Sequence, residues 1–214
     1  MPTVFGVGLS PFVRKVRVVL AEKQIPYDLV PVFGPQAPPD WKTMSPLGKI
    51  PAFKDGERTL CDSSIICTYV ERTHPTPALY PQDPYDHARA LWIEEFADTG
   101  LVESIGLPIF FNLVVNPRFM GKEPDRARAD QAFAEQLPPR LEYLEGQLGG
   151  SGHFVGDALT IADVAVASPL TNLRHAGYDV DPKRYPKLAK HLDAMQARPS
   201  FAACIAEEKG FLGG

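Results

Sequence analysis

The protein has 214 residues and a formal net charge of −4, with 44% hydrophobic and 22% charged residues. These values are ordinary for a folded protein and exclude a largely disordered chain. A general nucleic-acid binder is also disfavoured, because the net charge has the wrong sign for phosphate. Proline is the unusual residue type, with 22 copies spread along the chain, which is typical of turns, helix starts and kinks.

The beginning of the sequence has no features of a targeting segment. The first cation is Arg14, so no basic segment precedes an apolar one, and no unbroken apolar run approaches the roughly 18 residues of a spanning helix. The three cysteines, Cys61, Cys67 and Cys204, are odd in number and lack CxxC spacing, which disfavours a disulfide framework and a zinc site. The histidines form no HExxH motif. We therefore expect a cytoplasmic protein with reduced thiols and no metal or membrane partner.

Strand and helix signals alternate over the first eighty residues. Four short segments have the apolar composition of strands: 3–7, 27–33, 50–53 and 58–61. After the first, Ser10 and Pro11 predict the N-cap and first residue of a helix. A proline-rich loop is predicted over 34–40, and Asp55–Gly56 predicts a hairpin between the last two strands. A further helix starts at Ser63, so the order predicts a small mixed sheet with helices packed on it.

Beyond about residue 85 the apolar spacing is helical and predicts no strand. The predicted helical segments are those around 91–96, 102–109, 129–137, 141–148 and 185–198, the last being the final helix. Gly106 and Pro108 predict a kink. Thr160 and Asp163 have the spacing of a capping box. We expect a first domain over 1–80, a linker over 81–86 and an all-helical domain over 87–214.

Ser10 is the first candidate functional residue. It follows a strand and precedes a helix, so its side chain can simply cap that helix. The same geometry favours an anion, because a helix N-terminus carries partial positive charge and free N–H donors. A hydroxyl there that donates to a thiolate lowers the pKa of the thiol. Since no cysteine of the chain lies at this position, such a thiol must belong to a ligand. The residues around Ser10 do not form the GxSxG motif of a hydrolase nucleophile.

Two further motifs point to ligand binding. A cis Ile50–Pro51 bond would turn the backbone N–H and C=O of Ile50 outward to pair with a peptide-like ligand; an ordinary trans turn is the alternative. Asp62 and Ser63 begin a helix, where they can cap it, or hold the carboxylate and ammonium groups of a ligand.

In combination and order, these motifs resemble the glutathione transferases. The matching stretches are Ser10-Pro11 after the first strand, Gly48-Lys49-Ile50-Pro51 before the third, Asp62-Ser63 after the fourth, and the capping box at residues 160–163. The stretch from Leu9 to Arg17 is most similar to the serine-type classes, particularly the tau and phi classes of plants. The resemblance implies a thioredoxin-like glutathione-binding domain followed by an all-helical domain.

By position, the resemblance implies that Ser10 hydrogen-bonds the glutathione sulfur and stabilises its thiolate. Ile50, next to a cis Pro51, would pair its backbone with the cysteinyl part of glutathione, and Lys49 would approach the glycyl carboxylate. Asp62 and Ser63 would hold the γ-glutamyl end. For the wall of the apolar electrophile site the candidates are Phe12, Phe110 and Phe111, with core packing as the alternative for at least one of the last two.

The sequence departs from the family pattern at two points. Asp62 stands where Glu is usual, and the loop over 34–40 lacks the basic residue of many serine-type members, with only Lys42 nearby. Serine at position 10 disfavours the cysteine-type classes, so Cys61 and Cys67 are interpreted as small buried hydrophobes.

The resemblance implies an enzyme of detoxification that uses glutathione as co-substrate, conjugates it to an apolar electrophile and forms a homodimer. A glutathione-dependent isomerase or peroxidase is a related alternative, although Leu9-Ser10-Pro11 differs from the Ser-Ser-Cys motif that usually marks the isomerases. The alternative from another class is a non-enzymatic binding or interaction protein with the same fold.

Overall fold

A computed structural model describes the protein over residues 1–33 and 37–213. Within these ranges the strands are β1 (Thr3–Phe5), β2 (Asp28–Val30), β3 (Ala52–Asp55) and β4 (Arg58–Cys61). The α-helices are α1 (Pro11–Glu22), α2 (Trp41–Met44), α3 (Ser63–Thr73), α4 (Pro84–Phe96), α5 (Val102–Ile105), α6 (Asn116–Phe119), α7 (Arg126–Gln131), α8 (Pro138–Gln147), α9 (Ile161–His175), α10 (Pro186–Ala197) and α11 (Pro199–Leu212). The chain forms two compact units, Met1–Tyr80 with Ala197–Gly214 and Pro81–Gln196.

The first unit contains a four-stranded sheet in the order β2-β1-β3-β4. The β1–β2 pair is parallel, and the β1–β3 and β3–β4 pairs are antiparallel, which confirms the predicted mixed sheet. β1 is shorter than the predicted 3–7, because the backbone leaves the strand at Gly6, whose φ is +154°. β2 is shorter than the predicted 27–33, and residues 34–36 of the predicted proline-rich loop lie outside the described residues. The predicted hairpin at Asp55–Gly56 is confirmed.

Helix α1 is buried from Val13 to Leu20, including three of its cations. An isolated helix on a sheet would expose Arg14 and Arg17, but α11 packs on α1 and covers them. The predicted helix over 185–198 is confirmed as α10, but it is not the final helix of the chain, because α11 follows it. Pro199 does not end the helical region, because it occupies the first turn of α11, where its missing N–H costs nothing.

The second unit consists of helices and connecting loops, with no strand among its described residues. Its chain enters at α4, whose N-cap Asp83 accepts from the N–H groups of Tyr85 and Asp86. Between α4 and α6 the helix contains π-helical segments over Ala97–Leu101 and Gly106–Val115, the second at the kink predicted from Gly106 and Pro108.

By length and composition the run Pro84–Phe119 is apolar enough to cross a membrane, but half of its most apolar window is buried inside the protein. It is a core helix of a soluble fold, and charged residues such as Glu94, Glu95 and Glu103 interrupt it, so it is not an unbroken apolar run.

Helix α9 is the buried centre of the second unit, with every residue from Ile161 to Leu173 buried. The predicted capping box at its start is confirmed: Asp163 accepts from the backbone N–H of Thr160 at 2.7 Å and from its hydroxyl at 3.1 Å. The carboxylate also accepts from the N–H of Phe154 at 3.1 Å. This single buried side chain therefore holds the preceding loop against the helix.

The three cysteines are free thiols. Cys67 is fully buried, which agrees with its interpretation as a small buried hydrophobe, and Cys204 is almost fully buried. Cys61 is only partly buried, because it ends β4 next to the exposed Asp62, so its interpretation as a buried hydrophobe is corrected.

Candidate active site

Three predicted motifs converge at one end of the strands, which we call the edge of the sheet. Phe5 pairs with Ala52, and Ala52 pairs with Cys61. Because both pairs are antiparallel, the residues just beyond them lie at the same end of the sheet. The chain therefore brings the loop after β1, the Ile50–Pro51 bond and the start of α3 together within the first unit.

Ser10 is the N-cap of α1, as predicted. Its hydroxyl oxygen accepts from the N–H of Val13 over a long 3.4 Å, and its own N–H donates to the carbonyl of Val7 at 3.0 Å. The side chain is half-buried. The hydroxyl proton has no acceptor among the described residues, so this oxygen can cap the helix and still donate a hydrogen bond outward.

Gly6 explains how the Ile50 segment comes close to the start of α1. A Cβ at Gly6 would lie 2.5 Å from Cγ2 of Val13 and 3.3 Å from Cβ of Ile50. Only glycine leaves room for these contacts, and it also adopts the φ of +154° without strain. Helix α1 and the loop before β3 consequently approach each other across a bare backbone position.

The Ile50–Pro51 peptide bond is cis, which is the geometry that the sequence proposed. The preceding turn is held by Ser45, whose hydroxyl donates to the carbonyl of Lys49 at 2.6 Å. In the described part of the chain, the N–H and C=O of Ile50 have no hydrogen-bond partner, so both remain available. The Lys49 side chain is exposed.

At the start of α3, Asp62 caps the helix, which is the role that the sequence offered as the alternative to ligand binding. Its Oδ1 accepts from the N–H groups of Ser64 at 2.9 Å and Ile65 at 3.3 Å. Ser63 is 3% exposed, and its hydroxyl has no hydrogen bond among the described residues. The second oxygen of Asp62 is not used by the cap, and the exposed side chain leaves it accessible.

The three phenylalanines lie in different surroundings. Phe12 follows Ser10 by two residues and is half-buried in the first unit. In the second unit, Phe111 is 40% exposed, whereas Phe110 is 2% exposed and contacts Phe111 edge-on. Phe110 therefore has the core-packing role that the sequence left open for one of this pair.

Sequence reasoning missed the buried cations of α1. Lys15 is fully buried and its ammonium donates to the hydroxyl of Ser64 at 3.0 Å, which ties α1 to the first turn of α3. Arg14 is fully buried against Glu208 of α11. The only sequence signal was the charge itself on an otherwise apolar helix, since the partner glutamate is 194 residues away.

Chemically, the edge combines two helix N-termini, an available hydroxyl and an unpaired stretch of backbone. Helix N-termini favour anions through their free N–H groups and dipole. The unpaired Ile50 backbone favours an extended peptide. No group of three His, Cys, Asp or Glu side chains within residues 1–33 and 37–213 could hold a metal ion. The site therefore suits a small anionic peptide bearing an acidic group near Ser10.

Comparison with known proteins gives the family. Residues 4–78 match the family described as Glutathione S-transferase, N-terminal domain, and residues 110–208 match Glutathione S-transferase, C-terminal domain. The chain belongs to the glutathione S-transferase family. This confirms the predicted fold, a thioredoxin-like domain with a mixed four-stranded sheet followed by an all-helical domain.

Individual relatives cover nearly the whole chain. Glutathione S-transferase 3 of Zea mays is 31% identical, over 94% of this chain and 92% of its own length. A protein of Drosophila melanogaster named probable maleylacetoacetate isomerase 1 is also 31% identical, over 94% of this chain and 80% of its own length. A glutathione S-transferase from Methylobacterium radiotolerans, solved in complex with glutathione sulfonate, is 28% identical with a TM-score of 0.76, over 95% of this chain and 93% of that chain. The relative named as a transferase and the one named as an isomerase have the same sequence identity to this chain. The comparison therefore supports the family but not the tau or phi class.

Proposed function

We propose that this protein is a glutathione transferase that binds glutathione at the sheet edge and conjugates its thiolate to an apolar electrophile. The proposal depends on one observation above all: the sheet register brings Ser10, the cis Ile50–Pro51 bond and Ser63 to the same edge. Each is also a plausible structural residue alone, whereas their convergence supplies complementary groups for a γ-glutamyl peptide.

Glutathione would lie along this edge with its sulfur toward Ser10. The backbone N–H and C=O of Ile50 would pair with the cysteinyl residue in the manner of an added strand. The Ser63 hydroxyl and the N–H groups of α3 would bind the γ-glutamyl carboxylate, with the free oxygen of Asp62 facing the ammonium group. Lys49 would reach toward the glycyl carboxylate.

The proposed chemistry is nucleophilic attack by the bound thiolate. The thiol proton leaves to solvent, the hydroxyl of Ser10 donates to the resulting anion, and the thiolate forms a carbon–sulfur bond at the electrophilic carbon. With an aryl halide the carbon–halogen bond breaks and halide leaves to solvent. With an activated alkene the π bond breaks and the other carbon takes a proton from water. Catalysis comes from the larger thiolate fraction and from proximity. For the electrophile we propose apolar contacts with Phe12 and Phe111. Phe110 instead holds its helix by packing.

A Ser10→Ala variant tests this role. Loss of one charge-assisted hydrogen bond should raise the pKa of the bound thiol by about one unit, while glutathione retention on an affinity matrix persists. The pH–rate profile of conjugation should move to higher pH by the same amount.

The matched control is Ser151→Ala, which removes a hydroxyl bonded to a loop carbonyl in the second unit. It should leave the pH–rate profile unchanged. An unaltered profile in Ser10→Ala would remove Ser10 from the mechanism, and failure of the wild type to bind glutathione would favour the non-enzymatic alternative.

Isomerisation is a second candidate, favoured by the relative named as a probable maleylacetoacetate isomerase. The same thiolate would add to and leave a carbon–carbon double bond, so no product would retain glutathione. Assaying maleylacetoacetate beside a panel of aryl halides and peroxides distinguishes the activities. We propose conjugation because Leu9-Ser10-Pro11 lacks the Ser-Ser-Cys motif of the isomerases.

We further propose a cytoplasmic homodimer that acts in detoxification. The domain boundaries proposed from sequence, 1–80, 81–86 and 87–214, assign glutathione binding to the first domain and electrophile binding to the last, although α11 packs within the first compact unit. Light scattering of the purified chain should give twice the mass of 23.5 kDa, and a monomeric mass would contradict the dimer.

A further inference from the structure

Helix α11 lies on α1 through three sets of charged contacts. They pair Glu22 with Arg198, Arg17 with Glu207 and Arg14 with Glu208. Since residue numbers rise along one helix as they fall along the other, the two helices are antiparallel. The carboxyl end of α11 is therefore next to the amino end of α1, where Ser10 lies.

The Arg14–Glu208 pair differs from the other two by complete burial. Both side chains are 0% exposed. Nε and Nη2 of Arg14 donate to the two carboxylate oxygens of Glu208 at 2.8 and 2.6 Å. Such a bidentate pair is rigid in geometry, and removing one partner leaves a buried charge uncompensated.

The pair is close to Ser10 through both helices. The N–H of Arg14 donates to the carbonyl of Ser10 at 2.9 Å, so Arg14 is one helical turn away. Cγ of Glu208 would lie 3.8 Å from a Cβ at Gly8, and Gly8 precedes Ser10 by two residues, or at most about 7 Å of chain.

The neighbouring titratable groups have partners or stay neutral. Arg17 binds Glu207 at 2.5 Å and the hydroxyl of Tyr27 at 2.8 Å. Burial raises the pKa of Cys204, which keeps this thiol protonated. Lys15 donates to Ser64 on the other side of α1.

We propose that Glu208 is a positioning residue for the thiolate site, acting by neutralising Arg14 beside the N-terminus of α1. This inference rests on the proposed function, because it concerns the charge felt by glutathione at Ser10. The carboxylate cancels the field of Arg14 and fixes its side chain, so the bound thiol is governed by the Ser10 hydroxyl and the helix dipole. The C-terminal helix thereby sets the electrostatics of a site formed by the first eighty residues.

The two single substitutions should shift the thiol pKa in opposite directions, which a purely structural role would not produce. Glu208→Gln keeps the shape but removes the negative charge that faces Arg14, so the pKa of the bound glutathione thiol should fall. Arg14→Gln removes the positive charge, so that pKa should rise. At a separation near 10 Å each shift should be between about 0.3 and 1 unit. In the double variant the pKa of the bound thiol should return close to the wild-type value. Arg14→Lys keeps the positive charge, so its thiol pKa should also be close to that value.

The measurement is the ultraviolet absorbance of the glutathione thiolate bound to each full-length variant, titrated with pH. Glu22→Gln is the matched control: it breaks a similar arginine–glutamate pair with Arg198, about 18 Å along α1 from Ser10, and should leave the thiol pKa unchanged. Urea midpoints of all variants separate loss of stability from the change in thiol pKa.

The inference would be overturned if both single variants shifted the thiol pKa in the same direction, or by no more than Glu22→Gln does. The role of Ser10 would be unaffected by that result. If Arg14→Gln does not fold, Glu208→Gln and Arg14→Lys still test the proposal. A lower pKa of the bound thiol in Glu208→Gln, with an unchanged pKa in Arg14→Lys, supports it. Any other pattern contradicts it. A wild type that binds no glutathione would overturn both the inference and the proposed function.

Discussion

Removing the carboxylate of Asp163 should destabilise the second unit severely. Asp163 is 0% exposed and accepts three hydrogen bonds, two from Thr160 and one from Phe154. Asp163→Ala leaves those donors buried without an acceptor, and each such loss costs about 1–3 kcal/mol before relaxation. Because the losses share one site and are not fully additive, we expect about 3–5 kcal/mol in total.

The assay is urea unfolding followed by Trp92 fluorescence in a Trp41→Phe background. The sequence has two tryptophans, so Trp92 then reports the second unit alone. The matched control is Asp83→Ala, since Asp83 also accepts from two backbone N–H groups, but at an exposed helix start. That change should cost about 1 kcal/mol. An Asp163→Ala cost no larger than that of Asp83→Ala would show that burial of the carboxylate does not raise the cost of its loss.

Three other predictions concern pH and packing. Burial lowers the pKa of His191 more than nearby Asp163 raises it, so the folded state resists protonation of this side chain. Stability should therefore be full above about pH 6.5 and decline below it. In His191→Gln the urea midpoint should fall less steeply with falling pH. Hydrogen bonding by Arg198 lowers the pKa of Glu22, so Glu22→Gln should cost about 1–3 kcal/mol at neutral pH and progressively less in denaturant titrations as acid protonates the wild-type carboxyl. Gly6→Ala should lower both the melting temperature and glutathione retention, because the new Cβ would lie 2.5 Å from a methyl group of Val13.

Each of these has a direct contradiction. An equally steep acid decline in His191→Gln would assign the decline to other groups, and His175→Gln, at the end of α9, controls for a general histidine effect. A Glu22→Gln cost that does not vary with pH would exclude the ion pair as its cause. Wild-type stability and glutathione retention in Gly6→Ala would show that the loop before β3 does not need the close approach.

Local signals predicted the parts of the site but not its assembly. Ser10-Pro11 and Asp62-Ser63 are helix starts that a few neighbouring residues specify, and both are confirmed as caps. Their meeting at one edge depends on strand register across the sheet, which short motifs do not encode. The family resemblance supplied that arrangement, and the pairing of β1, β3 and β4 accounts for it physically.

Long-range packing explains the failures. On an isolated helix the charged positions of α1 would face solvent, but α11 covers them and provides Glu208 as a partner. Phe110 and Phe111 lie in a π-helical segment, where the wider turn shifts the residues that face inward from those of an α-helix. Helical periodicity therefore could not decide which of the two is buried.

A crystal structure of the chain with glutathione bound tests the proposed role of the Ser10 hydroxyl most directly. We expect the sulfur to lie within hydrogen-bonding distance of the Ser10 hydroxyl, at about 3.0–3.5 Å, with the cysteinyl backbone paired to Ile50. A sulfur lying well beyond that reach, or a tripeptide bound away from this edge of the sheet, would contradict that role.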